Sequence, residues 1–169
     1  MRIQRLPRHH PDIDMLLGEL GIENRNLRPQ PSDHNIAVKA LLPDDVFFLG
    51  SKDDGMPVCV GVLRERRGCS EILHIYTRPD YRRKGCGREL FQLLRFQIRM
   101  MGIDIGFVAV PSAQDAGAQF FRAMHFKDCA PLRAFGYVPD ENMYFLKRSM
   151  TFAYGDEEHG PRLEDLENE

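Results

Sequence analysis

The stretch from Tyr76 to Leu90, YTRPDYRRKGCGREL, sets five basic residues and two glycines between two apolar runs. On its N-terminal side, SEILHIYT reads as a strand that stops at Arg78-Pro79. On its C-terminal side, GRELFQLLRFQIRMM (87 to 101) places Leu90, Phe91, Leu94, Ile98 and Met101 on one helical face. A strand that enters a helix through glycines leaves the first-turn N–H groups without internal partners, where the macrodipole adds positive character. Glycine lets a ligand approach that backbone closely. With Arg78, Arg82, Arg83, Lys84 and Arg88 around it, such a turn can hold a polyanion, a diphosphate above all. The same residues also fit a plainer role, in which Gly85 and Gly87 shape a loop that the arginines keep solvated. Two phosphate motifs are excluded by spacing. A P-loop needs Gly-Lys-Ser/Thr, but Lys84 precedes its glycine; a dinucleotide fingerprint needs a third glycine where Leu90 stands.

Working outward, MRIQRL can form a first strand, and DIDMLLGELG spaces Ile13, Leu16, Leu17 and Leu20 as a helix with Gly21 as its stop. A Pro-rich link, LRPQPSDHN, leads to a second helix expected around Asn35 to Leu42. DVFFLGS and PVCVGVLRER are strands around the turn KDDGMP. Beyond the central helix, IDIGFVAV reads as a strand covered on both faces. SAQDAGAQFFRAMHF reads as a helix capped by Ser112, with Asp115 three positions on, and NMYFLKRSM as a last strand. The order predicts an α/β (α+β) sheet with helices on both sides.

Composition narrows the function. The chain of 169 residues is about one domain long, with 43% apolar and 28% charged residues. No apolar run reaches the ~18–20 residues of a membrane span, and MRIQRLPRHHPDID lacks a secretory apolar core. Cys59, Cys69, Cys86 and Cys129 show no CxxC spacing, so a reducing cytoplasmic setting is expected. From Gly155 the sequence carries seven acids and one arginine and reads as a disordered acidic extension, leaving the body near +4. That balance, without interleaved aromatics, argues against nucleic acid as a partner. His9-His10 begin no metal-ligand pattern, so no metal is expected.

Arg82-Arg83-Lys84-Gly85-Cys86-Gly87 is an RxxGxG that follows a strand and opens a helix. It resembles the acetyl-CoA signature, Q/R-x-x-G-x-G/A, of the GNAT superfamily of acetyl-CoA-dependent N-acetyltransferases. LHIYTRPDYRRKGCGREL is similar to that family's strand-turn-helix passage, and QDAGAQFFRAMHF to its later segment N-x-x-A-x-x-L-Y-x-x-x-G-F. The resemblance spans roughly residues 1 to 150 and is strongest over 71 to 126. It implies a mixed, mostly antiparallel sheet flanked by helices on both faces and splayed at the CoA-binding strand, with the domain over 1–154 and the acidic tail over 155–169. It also implies transfer of an acetyl group from acetyl-CoA to a primary amine by direct attack, without a metal.

By the same resemblance, the backbone N–H groups of Arg83, Lys84, Gly85, Cys86, Gly87 and Arg88 would cradle the pyrophosphate. Arg82 and neighbouring basic side chains would meet further phosphate. Ile75, Tyr76 and Thr77 would pair their backbone with the pantetheine arm, and a backbone N–H there would stabilise an oxyanion. Gln114 and Phe121 occupy the family's Asn and Tyr positions. Phe121 has no proton to give, so the thiolate would be reprotonated by water or by a hydroxyl from elsewhere, such as Tyr137 or Tyr144. Amine acylation needs a base, since a lysine-type amine has a pKa of about 10.4. Glu71 matches the family's general-base glutamate. His74 is a second candidate, although strict alternation puts His74 and Tyr76 on the face opposite Glu71. An acyl-Cys86 intermediate is not expected. The alternative to an enzyme is a non-catalytic acyl-CoA sensor or interaction domain of the same fold. The acceptor and the oligomeric state, a homodimer among the possibilities, stay open.

Overall fold

Among the described residues, seven strands build one sheet around the Val-, Phe- and Leu-rich segments: β1 (Arg2–Leu6), β2 (Val46–Ser51), β3 (Pro57–Arg66), β4 (Cys69–Thr77), β5 (Ile105–Pro111), β6 (Lys127–Asp128) and β7 (Met143–Ser149). Four α-helices accompany them among the described residues: α1 (Pro11–Arg25), α2 (Asp33–Val38), α3 (Cys86–Met100) and α4 (Asp115–Ala123). The computed structural model describes residues 1–151, so the acidic extension expected from Gly155 lies outside the described residues. The sheet order is β1-β2-β3-β4-β5-β7-β6. Every neighbouring pair is antiparallel except β4 and β5.

Both faces of the sheet are covered. On one, α3 buries Leu90, Phe91, Leu94 and Ile98 completely, and α4 adds Ala118 and Phe121. Each such large side chain contributes about 1.5–3 kcal/mol relative to exposure, which is why the amphipathic sequence docks as a helix. Gly61 in β3 makes the close approach feasible. A Cβ there would lie 3.0 Å from the Leu94 Cδ1 and 3.3 Å from the Leu90 methyls. On the other face, Ile13 and Leu16 of α1 pack on Phe47, Leu49, Val60, Val62 and Leu73. Farther along that face, Phe135 and Tyr137 pack on Phe107, Ala109 and Phe145. Among the described residues no helix is long and apolar enough to cross a membrane, and all four cysteines are free thiols.

Several local expectations need correction. Helix α1 runs through Gly21 to Arg25: an exposed-side glycine costs only about 1 kcal/mol inside a helix, less than the docking of the turns around it returns. Helix α2 is shorter and earlier than expected, because the Ser32 hydroxyl accepts from the Asn35 amide at 3.3 Å and starts it there. Ser112 does not cap α4; Gln114 occupies that position, while the Ser112 amide donates to the Asn142 carbonyl at 2.9 Å. The two-residue β6 was not anticipated from sequence, being too short to show a period.

Candidate functional site

Strands β4 and β5 pair only at Cys69–Ile105, Ser70–Gly106 and Glu71–Phe107, and then separate. A register shift accompanies the separation. Val62 of β3 faces His74, but Leu63 faces Ile72, so Leu73 is an extra residue in β4. The bulge overturns the expectation from strict alternation. Glu71, His74 and Tyr76 stand opposite Arg64, Val62 and Val60, residues two apart in β3, so all three project from the same face. A one-residue bulge reverses the side-chain phase of everything after it, and sequence period alone carries no sign of it.

At the outer end of β4 the chain turns through Pro79–Tyr81 into α3. Gly85, the N-cap of α3, has φ 90° and Arg83 has φ 61°. A left-handed non-glycine residue costs roughly 1–2 kcal/mol, and such strain collects at binding sites. The amides of Arg88 and Glu89 both donate to the Gly85 carbonyl, at 2.8 and 3.0 Å. Among the described residues the five amides from Arg83 to Gly87 meet no acceptor. Gly87 leaves room at this turn: a Cβ there would have only ordinary contacts, 3.5 Å to the Phe120 ring and 3.6 Å to the Thr77 hydroxyl.

The five cations of this stretch divide into two sets. Arg78 donates to Glu19 at 2.6 Å, and Arg82 to Glu23 at 2.7 Å and to the Thr77 carbonyl at 2.8 Å. Glu19 and Glu23 are one turn apart on α1, so these pairs tie the loop to that helix. The Arg78 guanidinium bonded to Glu19 holds that carboxyl below its usual range. Arg83, Lys84 and Arg88 have no ion-pair partner among the described residues, and Lys84 lies over the Tyr81 ring at 5.5 Å. Ile75 packs toward the α3 side, the Tyr76 hydroxyl donates to Glu19 at 3.3 Å, and Cys86 is half-buried.

Beyond the separated strands lies a cleft of about 990 Å³ between the α1–α2 connection, β4 and the start of α4. Arg25, Arg28, Lys39, His74 and Gln114 line it. Gln114 bonds through its side-chain amide to Asn24. Burial, reinforced by the charges of Lys39 and Arg64, pushes the His74 imidazole down to about 3. Glu71 does not line the cleft. It is fully buried, with Oε1 accepting from the Tyr137 hydroxyl at 2.5 Å and Oε2 without a partner among the described residues. Burial raises its pKa, against the Tyr137 hydrogen bond and the charges of Lys39 and Arg64. Phe121 is 7% exposed and packs edge-on against Phe120 and Phe126 in the core.

Sequence reading missed the cluster that supports these groups. Arg64 makes a two-pronged, fully buried pair with Asp45, 2.8 Å on each arm, and also donates to the carbonyls of Val38 and Ala40. Lys39, between those two carbonyls, reaches the Ala109 carbonyl of β5 at 2.7 Å. Burial lowers the Lys39 pKa, opposed by Glu71. The charge within the apolar run PVCVGVLRER was a usable signal, since a cation on a buried strand demands a partner.

The model of the family described as Acetyltransferase (GNAT) domain matches residues 43–128. Among solved structures, the chain is similar to a candidate acyl-CoA N-acyltransferase of Klebsiella pneumoniae (TM-score 0.76, 16% identity, 89% of this chain and 97% of that one). It is also similar to a GNAT-family acetyltransferase of Staphylococcus aureus (0.67, 15%, 89% and 100%). A third similar structure is the PaiA N-acetyltransferase of Thermoplasma acidophilum, solved in complex with coenzyme A (0.55, 19%, 63% and 61%). At these identities the likeness is one of fold. No curated protein matches the chain in sequence.

Proposed function

This chain belongs to the GNAT acetyltransferase family, and from that premise we propose that it transfers an acetyl group from acetyl-CoA to a primary amine by direct attack. One observation carries the reading: five unpartnered amides at the start of α3 adjoin the gap that opens between β4 and β5 after Glu71 and Phe107. The amides and the free Arg83, Lys84 and Arg88 suit a diphosphate and a further phosphate. The backbone edge at Ile75–Thr77, which β5 leaves unpaired, suits an amide-bearing arm laid along it as an added strand once Arg82 yields the Thr77 carbonyl.

Bound acetyl-CoA supplies an activated acyl carbon, so a C–N bond forms as the C–S bond breaks. One proton leaves the amine and one ends on the thiol. The two candidate bases divide the work by their pKa. His74 lines the cleft but is neutral at pH 7 and holds a proton poorly, which suits a ring that relays one. Glu71 lies on the same face, one carboxylate oxygen is unpartnered, and burial raises its pKa, so it suits the group that keeps the proton. We assign Glu71 as general base, reached through His74 or water, with Tyr137 fixing its orientation. Phe121 brings no hydroxyl, and water completes thiolate protonation.

Phe121 favours a second reading, an acyl-CoA sensor that binds without turnover. Thiol release from acetyl-CoA, measured over a panel of amines alongside calorimetric coenzyme binding, separates the two. Tight binding with no release on any amine would support the sensor.

A further inference from the structure

We propose that Arg25, Arg28 and Lys39 form an anion-recognition face in the cleft, so that the amine acceptor is a small molecule carrying a carboxylate or a phosphate. This rests on the acyl-transfer reading above and adds the substrate class to it. The charged residues lining the cleft are these three cations, and no carboxylate lines it among the described residues. Of the acids nearby, Glu19 is committed to Arg78, Glu23 to Arg82, and Asp140 to the Ser32 amide and the Asn35 side chain, while the buried Glu71 acts on Lys39 from outside the cleft lining. Arg25 and Arg28 are exposed and have no ion-pair partner among the described residues.

Lys39 is held in place. Arg64 grips the carbonyls on either side of it, at 2.8 and 2.6 Å, and its own Nζ is fixed on Ala109. A buried arginine is thus used to present Lys39 as a hydrogen-bond donor at the cleft wall, while the exposed guanidinium groups of Arg25 and Arg28 carry the charge that would repel an ammonium group. A cleft of about 990 Å³ has the size of a small-molecule site. A polyamine or aminoglycoside would bring several positive charges against the guanidinium groups of Arg25 and Arg28. An acceptor with its anion on Arg25 and Arg28 and its amine toward His74 meets complementary charge at one end and the reacting group at the other.

The test is thiol release measured with matched acceptors: α-amino acids against their carboxamides, phosphoethanolamine against ethanolamine, and spermidine as a polycation. We expect the anionic member of at least one pair to have the higher kcat/KM by about tenfold, the factor that one charge-assisted hydrogen bond supplies. The pair with the larger ratio identifies carboxylate or phosphate. In R25E/R28E the ratio should collapse or invert. Equal or faster turnover of the neutral members or of spermidine, with ratios unmoved by R25E/R28E, overturns the proposal while acyl transfer stands. Should no amine release thiol, calorimetry with the same anionic compounds, with and without acetyl-CoA, decides. Binding lost in R25E/R28E and K39M supports the anion face although the transfer reading falls; no binding overturns the face as well.

Discussion

The loop at the start of α3 and the cleft that His74 lines are made by different means. The loop is a local object: main-chain amides of consecutive residues, freed by a helix start and shaped by the left-handed Arg83 and Gly85. The cleft is assembled from side chains distant in sequence, with Arg25 ending α1 and Arg28 just after it, Lys39 after α2, His74 from β4 and Gln114 before α4. Backbone donors serve any sequence that adopts the turn, so under the proposed transfer a loop of this kind suits a coenzyme that does not vary. A cleft of side chains can be changed residue by residue, which suits the acceptor.

Gly87→Asp should remove coenzyme affinity by about a thousandfold, because like charges brought together cost several kcal/mol. Stability should stay nearly unchanged: the new Cβ has only ordinary contacts, and a carboxylate suits the first turn of a helix. Calorimetry and thermal unfolding measure the two, and unaltered affinity would refute the loop assignment. Arg64→Ala should destabilise by about 3–5 kcal/mol, since it leaves Asp45 buried without its partner. Urea titration gives this value; a loss below about 1 kcal/mol would mean that water replaces the guanidinium.

Glu71→Gln should lower kcat about a hundredfold or more, the usual contribution of a general base, with coenzyme affinity within a factor of about two. Turnover left intact across pH would show that the carboxylate only positions Tyr137. The smallest effect concerns pH and stability. The folded-state pKa of His74 is depressed from 6.5 to about 3, so the unfolded chain binds more protons between those values. Its contribution is therefore present above about pH 6.5 and is lost as pH falls toward 3, by at most ~1.4 kcal/mol per pH unit. Denaturant midpoints at pH 7 and pH 5 should converge in His74→Gln relative to the unaltered protein. An unchanged difference would place the titration elsewhere.

The five cations between Arg78 and Arg88 show how far sequence reading reaches. Their number and their place at a helix start were legible, because both are local. Their partners were not: Glu19 and Glu23 come from α1, some sixty residues away, and take Arg78 and Arg82 out of the set free to meet phosphate. The same holds for Arg64, whose fourfold bonding to Asp45, Val38 and Ala40 cannot be inferred from β3 alone. The faces of β4 are hidden from sequence for a related reason. Whether a strand bulges is decided by the register of its neighbours, and one extra residue at Leu73 carries His74 to the side of Glu71.

By itself, the sequence determined the order of the elements, the amphipathic α3 and the glycine-opened turn before it, since hydrophobic period, helix capping and backbone freedom act over a few residues. Tertiary structure alone decided which cations stay free, which face His74 shares and what lines the cleft. Those depend on contacts between chain segments that meet only when the sheet closes, with burial then setting whether each group keeps its charge.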